Sequence, residues 1–79
     1  MLNAELVGSV IRRYRKHKGL SQEVLSGLAD IGRTHLSMIE RGERKPTLDT
    51  LFKICEALDV RPDEIVRAIE QEQYQKEAL

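Results

Sequence analysis

Few residue types in this chain could carry chemistry. His17, His35 and Cys55 are the only histidines and the only cysteine. By type they suggest a metal set, but their spacing matches no zinc pattern, so neither a metal nor any other cofactor is expected. No Ser/His/Asp or Cys/His arrangement has a context that would make a nucleophile, and no glycine loop could cradle a phosphate. The reading is therefore not an enzyme. What remains is charge. The chain has 13 Lys+Arg and 13 Asp+Glu, a formal net charge of zero, which at first counts against a nucleic-acid partner. The charges are unevenly spread, however. Residues 1 to 45 hold nine bases and five acids, 9 − 5 = +4, and residues 46 to 79 hold four bases and eight acids, 4 − 8 = −4. Such asymmetry hints at an anionic partner on the basic side, while a solvated surface with chance clustering gives the same count without one.

The frame that must position these charges is small. With 79 residues, 41% hydrophobic and 4% aromatic, the chain can form one domain around one modest core. It is too apolar for disorder, lacks a run able to cross a bilayer and shows no secretory signal, so no membrane role is expected. A lone cysteine cannot close an intrachain disulfide, which fits a reducing, cytoplasmic setting. Without staples, a chain this short needs very regular helix packing, a partner subunit, or both.

Helical periodicity dominates and strand alternation is absent. A first helix is expected from about Ala4 to Lys18, with Val7, Ile11 and Tyr14 inward and Leu6 and Val10 widening the stripe, stopped by Gly19. Ser21 caps a second helix from Gln22 to about Ala29, with Leu25, Leu28 and Ala29 inward. After a turn at Asp30-Ile31-Gly32, a third helix runs from Arg33 to about Arg41, with Leu36 and Ile39 inward and Gly42 as the stop. Glu43-Arg44-Lys45-Pro46 is a polar, basic loop. Thr47 caps a fourth helix, Leu48 to Leu58, with Leu48, Leu51, Ile54, Cys55 and Leu58 on the core side. Pro62 opens a fifth, whose first turn holds Asp63 and Glu64 and whose anchors are Ile65, Val66 and Ile69. The polar segment after Glu70 can extend that helix or fray.

Helices two and three, two short elements across a tight turn with apolar residues at Leu25, Ala29, Ile31, Leu36 and Ile39, have the pattern of a helix-turn-helix. In such a unit the third helix can enter the major groove while the second crosses the backbone. The runs Gly19-Leu20-Ser21-Gln22-Glu23-Val24-Leu25, Arg33-Thr34-His35-Leu36-Ser37-Met38-Ile39-Glu40-Arg41-Gly42 and Pro46-Thr47-Leu48 together resemble the Xre-type, phage repressor/Cro-like helix-turn-helix family. The resemblance covers roughly residues 7 to 69. It implies an all-α, compact five-helix, lambda-repressor-like DNA-binding domain spanning residues 1–79, with the helix from about residue 62 aiding dimerisation. The Arg-Thr-His-Leu-Ser run is also similar to the restriction-modification controller group.

The resemblance further implies roles. Arg33 and Thr34 would reach base edges, Arg bidentately to guanine and the Thr methyl to a thymine methyl. Ser37 and Met38 would form a second layer of base contacts. Gln22, His35, Arg44 and Lys45 would meet the DNA backbone. Arg15 and Glu40 would form a structural ion pair. Arg12, Arg13, Lys16 and Lys18 are read as general positive field. Three departures from the family pattern are tolerable. Asp30 replaces a turn glycine but accepts the left-handed region. Ser26 must bury a hydroxyl bonded back to its own helix. Gly32 is a slightly poorer cap than Ser or Thr. Phe52, with Ile65, Val66 and Ile69, suggests a dimer interface; the plainer reading folds Phe52 over the domain's own core. The function expected is that of a sequence-specific regulator of transcription, a homodimer on a palindromic double-stranded DNA operator. The alternative is a protein-interaction or antitoxin-like module that binds an unknown protein partner through Val24, Phe52 and helix five. With the acids on helices four and five, zero net charge is compatible with DNA and predicts weak non-specific binding.

Overall fold

A computed structural model describes residues 1–78. Its elements are α1 (Ala4–His17), α2 (Gln22–Ala29), α3 (Arg33–Glu40), α4 (Leu48–Leu58) and α5 (Pro62–Ala78). Among the described residues there is no strand, and no helix is long and apolar enough to cross a membrane.

Local chemistry sets most of these boundaries. Asn3, Ser21 and Thr47 each have extended backbone, and each side-chain oxygen accepts the N–H three residues on, at Leu6, Val24 and Thr50. These bonds satisfy helix N–H groups that have no partner within the helix. Gly19 and Gly42 stop α1 and α3 with φ of +73° and +78°. Gly42 is doubly required, because a Cβ there would fall 2.6 Å from Glu5 Cγ and 2.7 Å from Glu5 Cα.

All five helices contribute to one core. Val7, Val10 and Ile11 of α1 meet Leu25 and Ala29 of α2, Leu36 and Ile39 of α3, Leu51, Ile54, Cys55 and Leu58 of α4, and Ile65 and Ile69 of α5. Each large side chain fully buried in this way contributes about 1.5–3 kcal/mol. Tyr14 packs on the margin, where burial first, and the nearby Glu64 carboxylate second, raise its hydroxyl pKa.

Three residues expected inward are exposed: Leu28 (62%), Leu48 (73%) and Val66 (49%). The reason is angular. Successive helical residues are about 100° apart. Leu25, Ser26 and Ala29 define the buried face of α2, and Leu28 falls outside that arc. Val66 lies beside the arc that Ile65 and Ile69 define, and Leu48 opens α4 one turn before its first buried residue. The polar segment after Glu70 continues α5 as far as Ala78 rather than fraying. Glu72 pairs with Arg13, and Gln73 accepts the Asn3 N–H and donates to the Met1 carbonyl, both at 3.0 Å.

Candidate nucleic-acid interface

The joint between α2 and α3 decides what α3 presents. Asp30 adopts the left-handed conformation, φ 55° and ψ 46°. Its N–H donates to the Gly27 carbonyl at 3.3 Å, and the Ile31 N–H donates to the Ser26 carbonyl at 3.0 Å. These bonds close the end of α2, and Ile31 packs against the core beneath the corner. Ser26 is buried, and its hydroxyl donates to the Glu23 carbonyl at 3.1 Å, so its polar atom costs little.

Beyond the joint, Leu36, Ile39 and Glu40 turn inward, while Arg33 and Thr34 are exposed on the first turn of α3. Gly32 supplies no capping side chain, and no acid lies in that first turn. The positive end of α3 therefore faces outward uncompensated, with Arg33 on it. Gln22, Arg33, Thr34 and Ser37 gather around one shallow hollow of about 230 Å³. Arg41 borders it too. The sequence reading missed Arg41, although the spacing 33, 37, 41 puts it on the same helical face.

The other expected contacts stand apart from this hollow. His35 and Met38 are half-buried on α3, and Arg44 is exposed in the following loop. Lys45 is exposed but donates to the Leu2 carbonyl at 3.3 Å, which ties the loop to the N-terminal segment. Arg13 faces α5 through Glu72, so it is not free field, and that pairing lowers the Glu72 pKa.

Behind the hollow lies a buried polar network. Arg15 Nε donates to Glu40 Oε2 at 2.7 Å and Arg15 Nη2 to Glu40 Oε1 at 2.9 Å. Arg15 Nη1 donates to the Leu20 carbonyl at 2.8 Å, and Gln22 Nε2 to Glu40 Oε1 at 3.0 Å. The bond to Glu40 raises the Arg15 pKa. Gly8 lets α1 approach closely enough for this pairing: a Cβ there would lie 2.2 Å from the Ile39 carbonyl oxygen. Nothing in the local sequence marked Gly8.

The expected dimer residues divide. Ile65 is 0% exposed and belongs to the core, so it offers nothing to a second copy; this corrects the sequence reading. Ile69 is also a core residue, reaching the surface only as part of the lining of an apolar groove of about 490 Å³ with Leu2, Leu48, Leu51, Val66 and Tyr74. Phe52 is 56% exposed rather than folded over its own core. Cys55 is fully buried, and burial pushes its thiol up to about 11, well away from nucleophilic character.

Five packed helices with a two-helix unit presenting a basic first turn define a helix-turn-helix protein. The helix-turn-helix family profile matches residues 11–65, and the chain belongs to that family. It is 42% identical over 62 residues to the uncharacterized HTH-type transcriptional regulator y4dJ of Sinorhizobium fredii, covering 78% of this chain and 80% of that one. It is also 42% identical over 62 residues to the control protein C.BamHI of Bacillus amyloliquefaciens, covering 77% and 76%. The crystal structure of the restriction-modification controller protein C.AhdI from Aeromonas hydrophila superposes with a TM-score of 0.78 at 35% identity, covering 82% of this chain and 98% of that one.

Proposed function

We propose that this protein regulates transcription by binding double-stranded DNA sequence-specifically, as a homodimer on a palindromic operator. The observation that carries the reading is the first turn of α3, exposed, uncapped and free of acids, with Arg33 and Thr34 on it. Relatives named as transcriptional regulators and control proteins support the same role. Arg33 and Thr34 read base edges, Ser37 and Met38 add a second layer, and Gln22, His35, Arg44 and Lys45 meet the backbone. Residues 1–79 act as one binding unit in the cytoplasm, with no catalytic step. The apolar side chains exposed on α4 and α5, Leu48, Phe52, Val66 and Tyr74, favour a second copy there. Two copies then present their α3 helices about one DNA turn apart.

Gel shifts on an operator selected from random duplexes test the reading. Arg33→Ala loses roughly 1–3 kcal/mol and relaxes one base position. Lys45→Ala weakens all sequences alike and flattens the salt dependence. An Arg33→Ala protein that binds with unchanged affinity and selectivity would defeat the assignment.

A further inference from the structure

We propose that Glu40 is a positioning residue for DNA binding: its buried carboxylate orients the Gln22 amide so that one N–H points to a DNA phosphate. The inference rests on the DNA-binding reading above and deepens it.

The Glu40 side chain is 2% exposed and Arg15 is nearly as enclosed. Arg15 meets the carboxylate through two nitrogens, and Gln22 Nε2 adds a third donor at Oε1. The Arg15 contacts already neutralise the charge, so the Gln22 bond is not needed for that purpose. It does something else. A carboxylate accepts only from the NH2 end of an amide, never from its carbonyl end. Glu40 thus selects one of the two flipped orientations of Gln22. One amide hydrogen goes to Glu40 and the second is left for an external acceptor.

That second hydrogen belongs to a side chain on the rim of the hollow shared with Arg33, Thr34, Ser37 and Arg41. Gln22 is also the first residue of α2. Ser21 caps Val24 N–H through its hydroxyl and Leu25 N–H through its carbonyl, which leaves the N–H groups of Gln22 and Glu23 without an intrahelical acceptor. A phosphate oxygen arriving here meets a fixed side-chain donor beside a helix N-terminus, with two guanidinium side chains on the same rim. Ordering of Gln22 is complete before DNA arrives, so binding is spared that cost. Arg15 also holds the Leu20 carbonyl, just before α2, so the same ion pair anchors the approach to Gln22.

The test uses the selected operator with single methylphosphonates, which remove one backbone charge at a time. In wild type, one substituted phosphate lowers affinity roughly tenfold, the scale of a hydrogen bond to a charged group. Gln22→Met abolishes sensitivity at that phosphate alone. The paired change Arg15→Met with Glu40→Leu replaces the buried ion pair by apolar side chains, a kind of exchange that often preserves the fold. It abolishes the same sensitivity, leaves base discrimination by Arg33 intact, and makes an added Gln22→Met silent. Full sensitivity at the Gln22 phosphate in the paired variant overturns the proposal. Should that variant not fold, side-chain amide NMR of the free wild type decides. Gln22 then shows an exchange-protected Nε2 hydrogen, unlike exposed Gln71 and Gln75; signals indistinguishable from theirs overturn the proposal. Wild type that binds no duplex defeats the DNA reading and this inference together. Wild-type binding with a neutral Gln22→Met defeats this inference together with the Gln22 backbone contact, and leaves the DNA-binding reading standing.

Discussion

The joints before α3 and α5 are built alike and serve different ends. Asp30 has φ 55° and ψ 46°, and Asp59 has φ 56° and ψ 45°. The next residue, Ile31 or Val60, is partly buried against the core, and its N–H donates at 3.0 Å to a carbonyl five residues back, Ser26 or Cys55. A new helix starts two residues later, at Arg33 or Pro62. There the likeness ends. The first turn of α5 carries Asp63 and Glu64, which complement the positive end of the helix, and Arg61 beside Asp63 lowers that carboxyl's pKa. The first turn of α3 carries Arg33 and no acid, after a glycine that offers no cap. One joint spends its first turn on helix stability. The other leaves a positive helix end open to an anion. The backbone device is shared; the first-turn side chains decide what it is used for.

Exchanging the first-turn chemistry gives the largest expected effect. Arg33→Asp combined with Thr34→Glu imitates α5, adding about 0.3–1 kcal/mol of helix stability per acid while costing more than about 3 kcal/mol in operator binding. Anisotropy titration and urea unfolding measure the two sides; tight binding by this variant would erase the distinction. A smaller effect concerns what the joints share. Asp30→Ala and Asp59→Ala each lose about 1 kcal/mol of stability, because alanine tolerates the left-handed region less well. Equal losses in urea confirm equivalent joints, and a difference above about 0.5 kcal/mol, beyond ordinary context scatter, would separate them. The smallest effect is at Gly32, where a Cβ would come no nearer than 4.0 Å, to His35 Cβ. Gly32→Ser supplies the missing cap and adds a few tenths of a kcal/mol. A melting temperature lower than wild type would show that the open end of α3 is not a sacrifice of stability.

The helices were legible because their signals are local. Ser21, Thr47 and Pro62 mark starts, Gly19 and Gly42 mark stops, and Asp30 and Ser26 behave as their side-chain chemistry requires. That Arg33 and Thr34 stand on the first turn of the second helix of the pair was legible through the family motif. Burial was less so. Leu28, Leu48 and Val66 are apolar, at positions where a broad stripe would include them, but the buried arc of each helix is set by its neighbours. Ile65 is the anchor its spacing implies, but its burial removes it from the dimer interface, because packing of α5 encloses it completely.

The sequence by itself determined where five helices begin and, to within a residue, where the first four end, and that two of them form a helix-turn-helix. Capping bonds and backbone preferences act within a few residues, so composition and spacing suffice. Only the tertiary structure decided that Gly8 seats α1 against the carbonyls of α3, that Arg41 joins the hollow, and that Glu40 holds Gln22. Those contacts join different helices, and their distances depend on how whole elements pack, which no local rule encodes.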